Sequence, residues 1–545
     1  HAYQVWIATV ERRAETLAGA PAKIETWAQR PRISVLVYQA ADVRPAQFDR
    51  MIAALEAQVY RDWELVLVQS REAPPPRMAD VPRQTLASRR TNNRARALET
   101  AIGEATGDYL LPLAADALLA PDALFHLARA LQSTPDALLL YGDEDEIETG
   151  GRRRRHWFKP GWNRDLLLGQ DYVSGACMIR ADAARAALPL PTSLADAAAY
   201  ALVLAATGED GAQITRVPHV LCHRPSGTDA AAAHQAARIE AVTRAVAPEG
   251  ATAQAGPHGS VRVAWPLPDP APLVSVIIPS RDQGRFLREC VNGVLNRADY
   301  RHVEVLIIDN GSREAETLDY MARVARNPQV RVLHQDVPFN FSALSNYAVQ
   351  ESRGDYLCLL HSDIEIAEDG WLTAMMRQAT RPGVGAVGAR LLYPDLTIQH
   401  AGITVGLGDG AGHAHRFQHD ATPGYFARAH VAHAVSAVTS ACMLVEKRKY
   451  LGVGGFDARH FPVAFNDVDL CLKLAAAGWR NIYEPGAVMI HREWRSHGRD
   501  TAPAHIEQYQ RARAMLQERW DTQRYRDPLH HPHFDRSSER YLLKL

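Results

Sequence analysis

The chain has 545 residues, 47% hydrophobic and 23% charged, which is a globular composition long enough for about two to four domains. A formal net charge of −1 gives no global field for nucleic acid or an anionic membrane, so partners must be recognised at local sites. No apolar run reaches the length of a membrane span and no signal-peptide pattern opens the sequence, which starts at His1 and not at Met and so points to a trimmed N-terminus.

Residues 1–30 read as helical, with Tyr3, Trp6, Ile7 and Val10 on one docking face. After Pro31 the pattern switches to the buried strand ISVLV, then a helix near 48–59, then the strand WELVLVQ (63–69). This β–α–β alternation predicts a parallel sheet with crossover helices. Pro74–Pro76 and Pro82 mark a loop, 94–106 reads as helix, and GDYLLPL (107–113) as strand. Residues 136–141 form a further strand running into the acidic group Asp143–Glu146. The basic run Arg152–Arg155 beside Gly150 and Gly151 is read as a solvated hairpin tip.

Residues 246–271, rich in Ala, Gly and Pro, read as a linker, and the pattern then restarts. VSVIIPS (274–280) matches ISVLV, and VEVLIIDNGS (303–312) matches WELVLVQS. GDYLCLLHSDIEI (354–366) matches GDYLLPLAADALL, and VTSACMLVEK (438–447) matches YVSGACMIRA. Four matches in one order, offset by roughly 240–265 residues, indicate an internal duplication. The expected division is a helical extension 1–30, a first α/β domain 31–245, a linker 246–271, a second α/β domain 272–500, and a helix and tail 501–545.

Asp363 and Glu365 stand at the C-terminal end of the strand in GDYLCLLHSDIEI, where open α/β sheets bind ligands and acidic side chains can hold a metal. An acidic loop capping the next helix is the plainer alternative. The six cysteines are scattered, without a C-x-x-C pair, and read as reduced core thiols of a cytoplasmic protein. The tail begins with a helix over 506–520 and carries HHPH (530–533), which lacks ligand spacing for zinc.

The second half resembles glycosyltransferase family 2, the inverting enzymes of GT-A fold, and more closely the long two-domain O-antigen and rhamnan-type transferases of bacteria. The likeness is carried by PLVSVIIPSRDQ, VEVLIIDNGS, PFNFSALSNYAV, GDYLCLLHSDIEI, GGFDARHFPVAFNDVDLCLKL and HREWRSHG. In the first half it rests on YGDEDEI and FKPGWNRDLLLGQDYV. It implies two tandem GT-A domains, Rossmann-like with mostly parallel sheets. It also implies a nucleoside-diphosphate sugar donor (dTDP-rhamnose first), a divalent cation (Mg2+ or Mn2+), and a bacterial surface glycan acceptor on a lipid carrier. Contact with the membrane would then be peripheral, at the inner face of the cytoplasmic membrane.

The same resemblance assigns residues. Asp363 takes the metal position of a D-x-D-like motif written here His361-Ser362-Asp363, with His361 where the family has Asp or Asn. Pro279, Ser280, Arg281, Asp309 and Asn310 line the nucleotide mouth, and His491 completes the metal set. Asp467, in FNDVDLCLKL, is the base that takes the acceptor proton, while Asp469 braces the loop. Arg390, with Asp395, Gln399, His400, His413 and His415, is assigned to donor or acceptor contacts, and Trp479 to the core.

The first half departs from this pattern at Gln69-Ser70, at Ala114-Ala115-Asp116-Ala117, and in the alanine-rich stretch holding Asp196, so it reads as a catalytically silent copy. It keeps Asp116, Asp143, Asp145, Lys159 and Trp162, which leaves a positioning role open. The alternatives are a bifunctional polymerase with both halves active and a glycan-binding scaffold without turnover.

Overall fold

Strand Val274–Ser280 is apolar on both faces, so its two sides need separate cover. Val274, Val276 and Ile278 pack with Leu287 and Val291 of helix Gly284–Arg297. Ile277 packs on the opposite side with Leu344 and Ala348 of helix Phe341–Glu351. Helices on both faces of a mainly parallel sheet are the result.

The computed structural model describes residues 1–73, 84–87, 90–208, 211, 213–227, 234–492 and 503–545. The chain forms two units, His1–Val263 with His531–Phe534 and Leu543–Leu545, and Ala264–His530 with Asp535–Leu542.

In the second unit the sheet order is Val330–His334, Val303–Asp309, Val274–Ser280, Tyr356–Leu360, Cys442–Glu446, Val384–Leu392, Arg480–His491, Ile364–Ile366. In the first it is Gln84–Leu86, Trp63–Gln69, Ile33–Gln39, Tyr109–Ala114, Cys177–Arg180, Leu139–Ile147, Ile214–Pro225, Leu118–Leu119. Position for position these are one topology, α/β and of GT-A type, present twice.

A buried detail repeats as well. The Ser275 hydroxyl donates to Glu304 Oε1 at 2.6 Å and accepts the Gly354 amide at 2.8 Å. Ser34, Glu64 and Gly107 make the same clamp, at 2.6 and 2.9 Å. A Cβ on either glycine would stand 2.6 Å from the serine oxygen, which is why each GDYL strand must begin with glycine.

Several expectations are refined. The N-terminal stretch is two helices, Ala2–Trp6 and Arg13–Glu25, around a π-turn, with Tyr3 and Trp6 buried. Part of the stretch read as linker is a hairpin, Thr252–Ala255 with Val261–Ala264. Arg153 is not solvated. It is a strand residue whose guanidinium is held by Glu11 at 2.7 and 2.8 Å and by Asp145. Pro74–Pro76, Pro82 and most of HREWRSHG lie outside the described residues. All six cysteines are buried free thiols. Among the described residues no helix is long and apolar enough to cross a membrane.

Candidate active site

The second unit gathers its chemistry at the C-terminal ends of its parallel strands, where loops are free of ladder bonds and can carry polar side chains. Strand Arg480–His491 runs antiparallel to Ile364–Ile366 and pairs His491 with Ile364. The Arg492 amide donates to the Asp363 carbonyl at 3.2 Å, which fixes the two chains at that point. His491 Nε2 thereby lies 3.2 Å from Asp363 Oδ1. His361, at the end of strand Tyr356–Leu360, joins them, and one ligand atom from each of the three lies within 4.8 Å of the others. Asp363 and His491 are buried and His361 is half-buried. Ser362 is half-buried between its two neighbours. Glu365 is instead in an ion pair with Arg492 at 2.6 Å.

Two imidazoles and one carboxylate are a donor set that fits a divalent ion. Imidazole nitrogen suits first-row transition ions and carboxylate oxygen suits Mg2+ or Mn2+, so Mn2+ satisfies both donor types.

The positions assigned to the nucleotide are set by register. Ser280 and Asp309 are partners across parallel strands, and the Asn310 amide donates to the Ser280 carbonyl at 2.9 Å. Asp309 accepts the Ser312 amide at 2.9 Å and faces His334 Nδ1 at 3.0 Å. The Asn310 side chain donates to the carbonyls of Gln335 and Val337, at 2.7 and 2.8 Å. Asn310 is thereby a brace for the loop. Pro279 precedes Ser280, the last residue of strand Val274–Ser280, and Arg281 is exposed just beyond it.

Asp467 lies in the first turn of helix Asn466–Ala476. Its Oδ2 accepts the Ser440 amide at 3.1 Å and its Oδ1 accepts the Val468 amide at 2.8 Å. Burial pushes its carboxyl above the usual carboxylate range, opposed by these N–H donors. One residue on from Ser440, the Ala441 carbonyl accepts the His361 amide at 3.0 Å. The segment Ser440-Ala441 thus joins Asp467 to the cluster of His361, Asp363 and His491, a link visible beforehand only as the repeated VTSACM motif. Asn466 is buried and bonds to Ser342 Oγ at 3.1 Å.

Other assignments find different work. Asp469 is fully buried and accepts from Arg519 Nη1 at 2.9 Å, Trp520 Nε1 at 3.0 Å and Lys473 Nζ at 3.0 Å. It holds the C-terminal helix Pro503–Trp520, not the loop expected from sequence. Arg390 donates to His430 Nδ1 at 2.8 Å and pairs with Asp420 at 3.1 Å, bracing the segment near residues 420–430. Asp395 caps its own turn by accepting from Thr397. Gln399 and His400 are buried and face other protein groups: His491 at 2.7 Å and His413 at 2.9 Å. His413 and His415 are held neutral by burial, at about 3. Trp479 is partly buried against the core.

In the first unit the matching positions satisfy one another. Gln69, register partner of Gln39, donates to it at 2.7 Å and accepts from Arg90 at 2.8 Å. Asp143 accepts the Lys159 amide at 2.8 Å and pairs with the buried His531 at 2.9 Å. Asp145 is ringed by Tyr3, Arg153 and His223. Glu144 pairs with the fully buried Lys159 and with Arg224 at 2.9 Å. Asp116 is half-exposed, and Asp196 is exposed near Arg94 at 4.0 Å.

This duplicated fold and its strand-end cluster define a class. The chain belongs to glycosyl transferase family 2, whose sequence profile matches residues 35–187 and again 275–403. Among its relatives are protein y4gI of Sinorhizobium fredii, 36% identical over 96% of this chain, and O-antigen biosynthesis protein RfbC of Myxococcus xanthus, 32% identical over 92%. The chain spans 60% and 40% of the length of these two relatives. It is also similar to the N-acetylglucosaminyl-diphospho-decaprenol L-rhamnosyltransferase of Mycobacterium tuberculosis, 28% identical over 43% of this chain and 80% of that protein.

Proposed function

We propose that this chain is a metal-dependent inverting glycosyltransferase whose second unit performs transfer from a nucleoside-diphosphate sugar to a bacterial glycan. The observation that carries the reading is the convergence of His361, Asp363 and His491 within 4.8 Å, tied through Ser440-Ala441 to Asp467. Asp363, His491 and His361 would hold the divalent ion, which supplies charge neutralisation for the leaving diphosphate. Pro279, Ser280, Arg281, Asp309 and Asn310 form the nucleotide side of the site.

Asp467 accepts the proton of the acceptor hydroxyl as that oxygen bonds to the anomeric carbon. The bond from that carbon to the diphosphate oxygen breaks, and its electron pair leaves with the nucleotide. A single displacement inverts the anomeric configuration. Placement of Asp467 at a helix start, gripped by two backbone N–H groups, limits its motion during attack. The names of the M. xanthus and M. tuberculosis relatives support a rhamnosyl donor, dTDP-rhamnose, and a lipid-linked surface glycan as acceptor.

The first unit we assign no turnover, because its Glu144 and Asp145 are already paired with internal cations. The experiment is a panel of nucleotide sugars screened for Mn2+-dependent thermal stabilisation, then assayed for transfer with the anomeric configuration read by NMR. Stabilisation by one sugar nucleotide and an inverted product are expected; neither occurring in the presence of Mn2+ would leave the scaffold reading standing.

A further inference from the structure

Gln399 lies in the short strand Ile398–His400, which pairs antiparallel with Val384–Leu392. The register there is broken: Leu391 faces His400 and Leu392 faces Ile398, so Gln399 is the extra residue of a β-bulge. Alternation alone would set successive side chains on opposite faces; a bulge re-aims one of them, and does so often beside active sites. The residue re-aimed here is buried, and its Oε1 accepts the Nδ1–H of His491 at 2.7 Å. His400, next along, is fastened to His413 at 2.9 Å, so the strand carrying Gln399 is itself pinned.

An imidazole that donates through Nδ1 has its lone pair on Nε2, and Nε2 is the atom facing Asp363 Oδ1 at 3.2 Å. We propose that Gln399 is a positioning residue that fixes the tautomer and ring orientation of His491, so that a lone pair on Nε2 and a carboxylate oxygen are presented together to a divalent cation. The proposal rests on the metal reading above. It replaces the sugar-contact role that sequence suggested for Gln399. Supporting partners of metal-bound histidines typically change metal affinity by about 10–100-fold.

The test is Mn2+ binding to the full chain, followed by loss of the free-ion EPR signal, with no sugar nucleotide present. Gln399→Leu removes the acceptor and should weaken Mn2+ binding about tenfold or more. Gln399→Glu keeps the shape and an acceptor for Nδ1–H and should stay within about threefold of wild type, whereas Gln399→Met keeps the length without an acceptor and should weaken binding as Leu does, a loss that mere packing would not give. If Gln399→Leu does not fold, Gln399→Met, of similar length, takes its place. Wild-type affinity in the Leu or Met variant, or equal loss in the Glu variant, would overturn the proposal alone. A wild-type chain that binds no Mn2+, or His491→Ala binding as tightly as wild type, would overturn the metal reading and the proposal with it.

Discussion

The Ser440 amide donates to Asp467 Oδ2 at 3.1 Å, and this one contact places a carboxylate whose proton affinity is raised next to the strand that also anchors His361. A base of that kind has a visible pH signature. Its carboxyl must be ionised to accept a proton, so activity should fall on the acid side along a limb lying above the ordinary carboxylate range. Asp467→Asn should lower kcat by about 10³-fold and leave nucleotide affinity near wild type. Retained turnover would remove Asp467 as the base.

The same shift predicts a stability effect of defined sign. A folded-state pKa above the unfolded value means the native state binds the proton more tightly, so this group's contribution is present below the unfolded pKa and is lost as pH rises through the folded one. Asp467→Asn should therefore raise Tm at neutral pH relative to wild type, and the gain should shrink as pH is lowered through the carboxylate range. Thermal melts across pH would check it; a Tm lowered equally at every pH would contradict it.

The donor set at the cluster predicts metal preference. Mn2+ should support binding and transfer better than Mg2+, because two of the three ligands are imidazoles. Asp363→Ala should cost more than about 100-fold in Mn2+ affinity. His361→Asp, which supplies an oxygen ligand, should move the preference toward Mg2+. Parallel titrations of the three proteins with both ions decide it, and an unchanged ratio in His361→Asp would exclude His361 as a ligand.

Asp469 is the hub of the C-terminal helix, so its loss should be felt in stability and not in metal binding. Asp469→Ala leaves Arg519 and Lys473 without their shared buried carboxylate and should cost about 3 kcal/mol, read by chemical denaturation. An unaltered midpoint would show that the helix is held by its apolar contacts alone.

In the first unit, Asp116→Ala should leave every product linkage unchanged, since Asp116 stands apart from a complete ligand set among the described residues. Loss of one linkage type would revive a bifunctional enzyme.

The repeat was legible because it is written in local signals: a glycine turn, an apolar run, then a polar strand end. The clamp of Ser275, Glu304 and Gly354 was not, since its three members are distant in sequence and only the parallel register brings them together. Asp363 and His491 could be named from motif resemblance, but their meeting depends on the pairing of His491 with Ile364. The contact of Gln399 with His491 was not legible, because alternation along a strand does not reveal a bulge. Arg153 read as solvated because its partner, Glu11, lies in a helical turn far back in the chain. Each miss is a long-range pairing overriding a local pattern.

The buried pair of Lys159 and Glu144 has a bearing on the history of the duplication. Glu144 lies against Gly175, the register counterpart of Ala441, so close that a Cβ there would stand 2.5 Å from its Oε1. The first copy has thus filled, with a covalently attached ammonium and its own counter-ion, the space beside the segment whose match in the second copy accepts the His361 amide. Reverting Gln69 to aspartate, or rebuilding an acidic triplet at Ala114–Asp116, would not reopen that region; the ion pair would have to be dismantled first, at a cost in folding that selection opposes. Divergence of the two halves works here as a ratchet, with the way back closed by stability and not by the number of missing ligands.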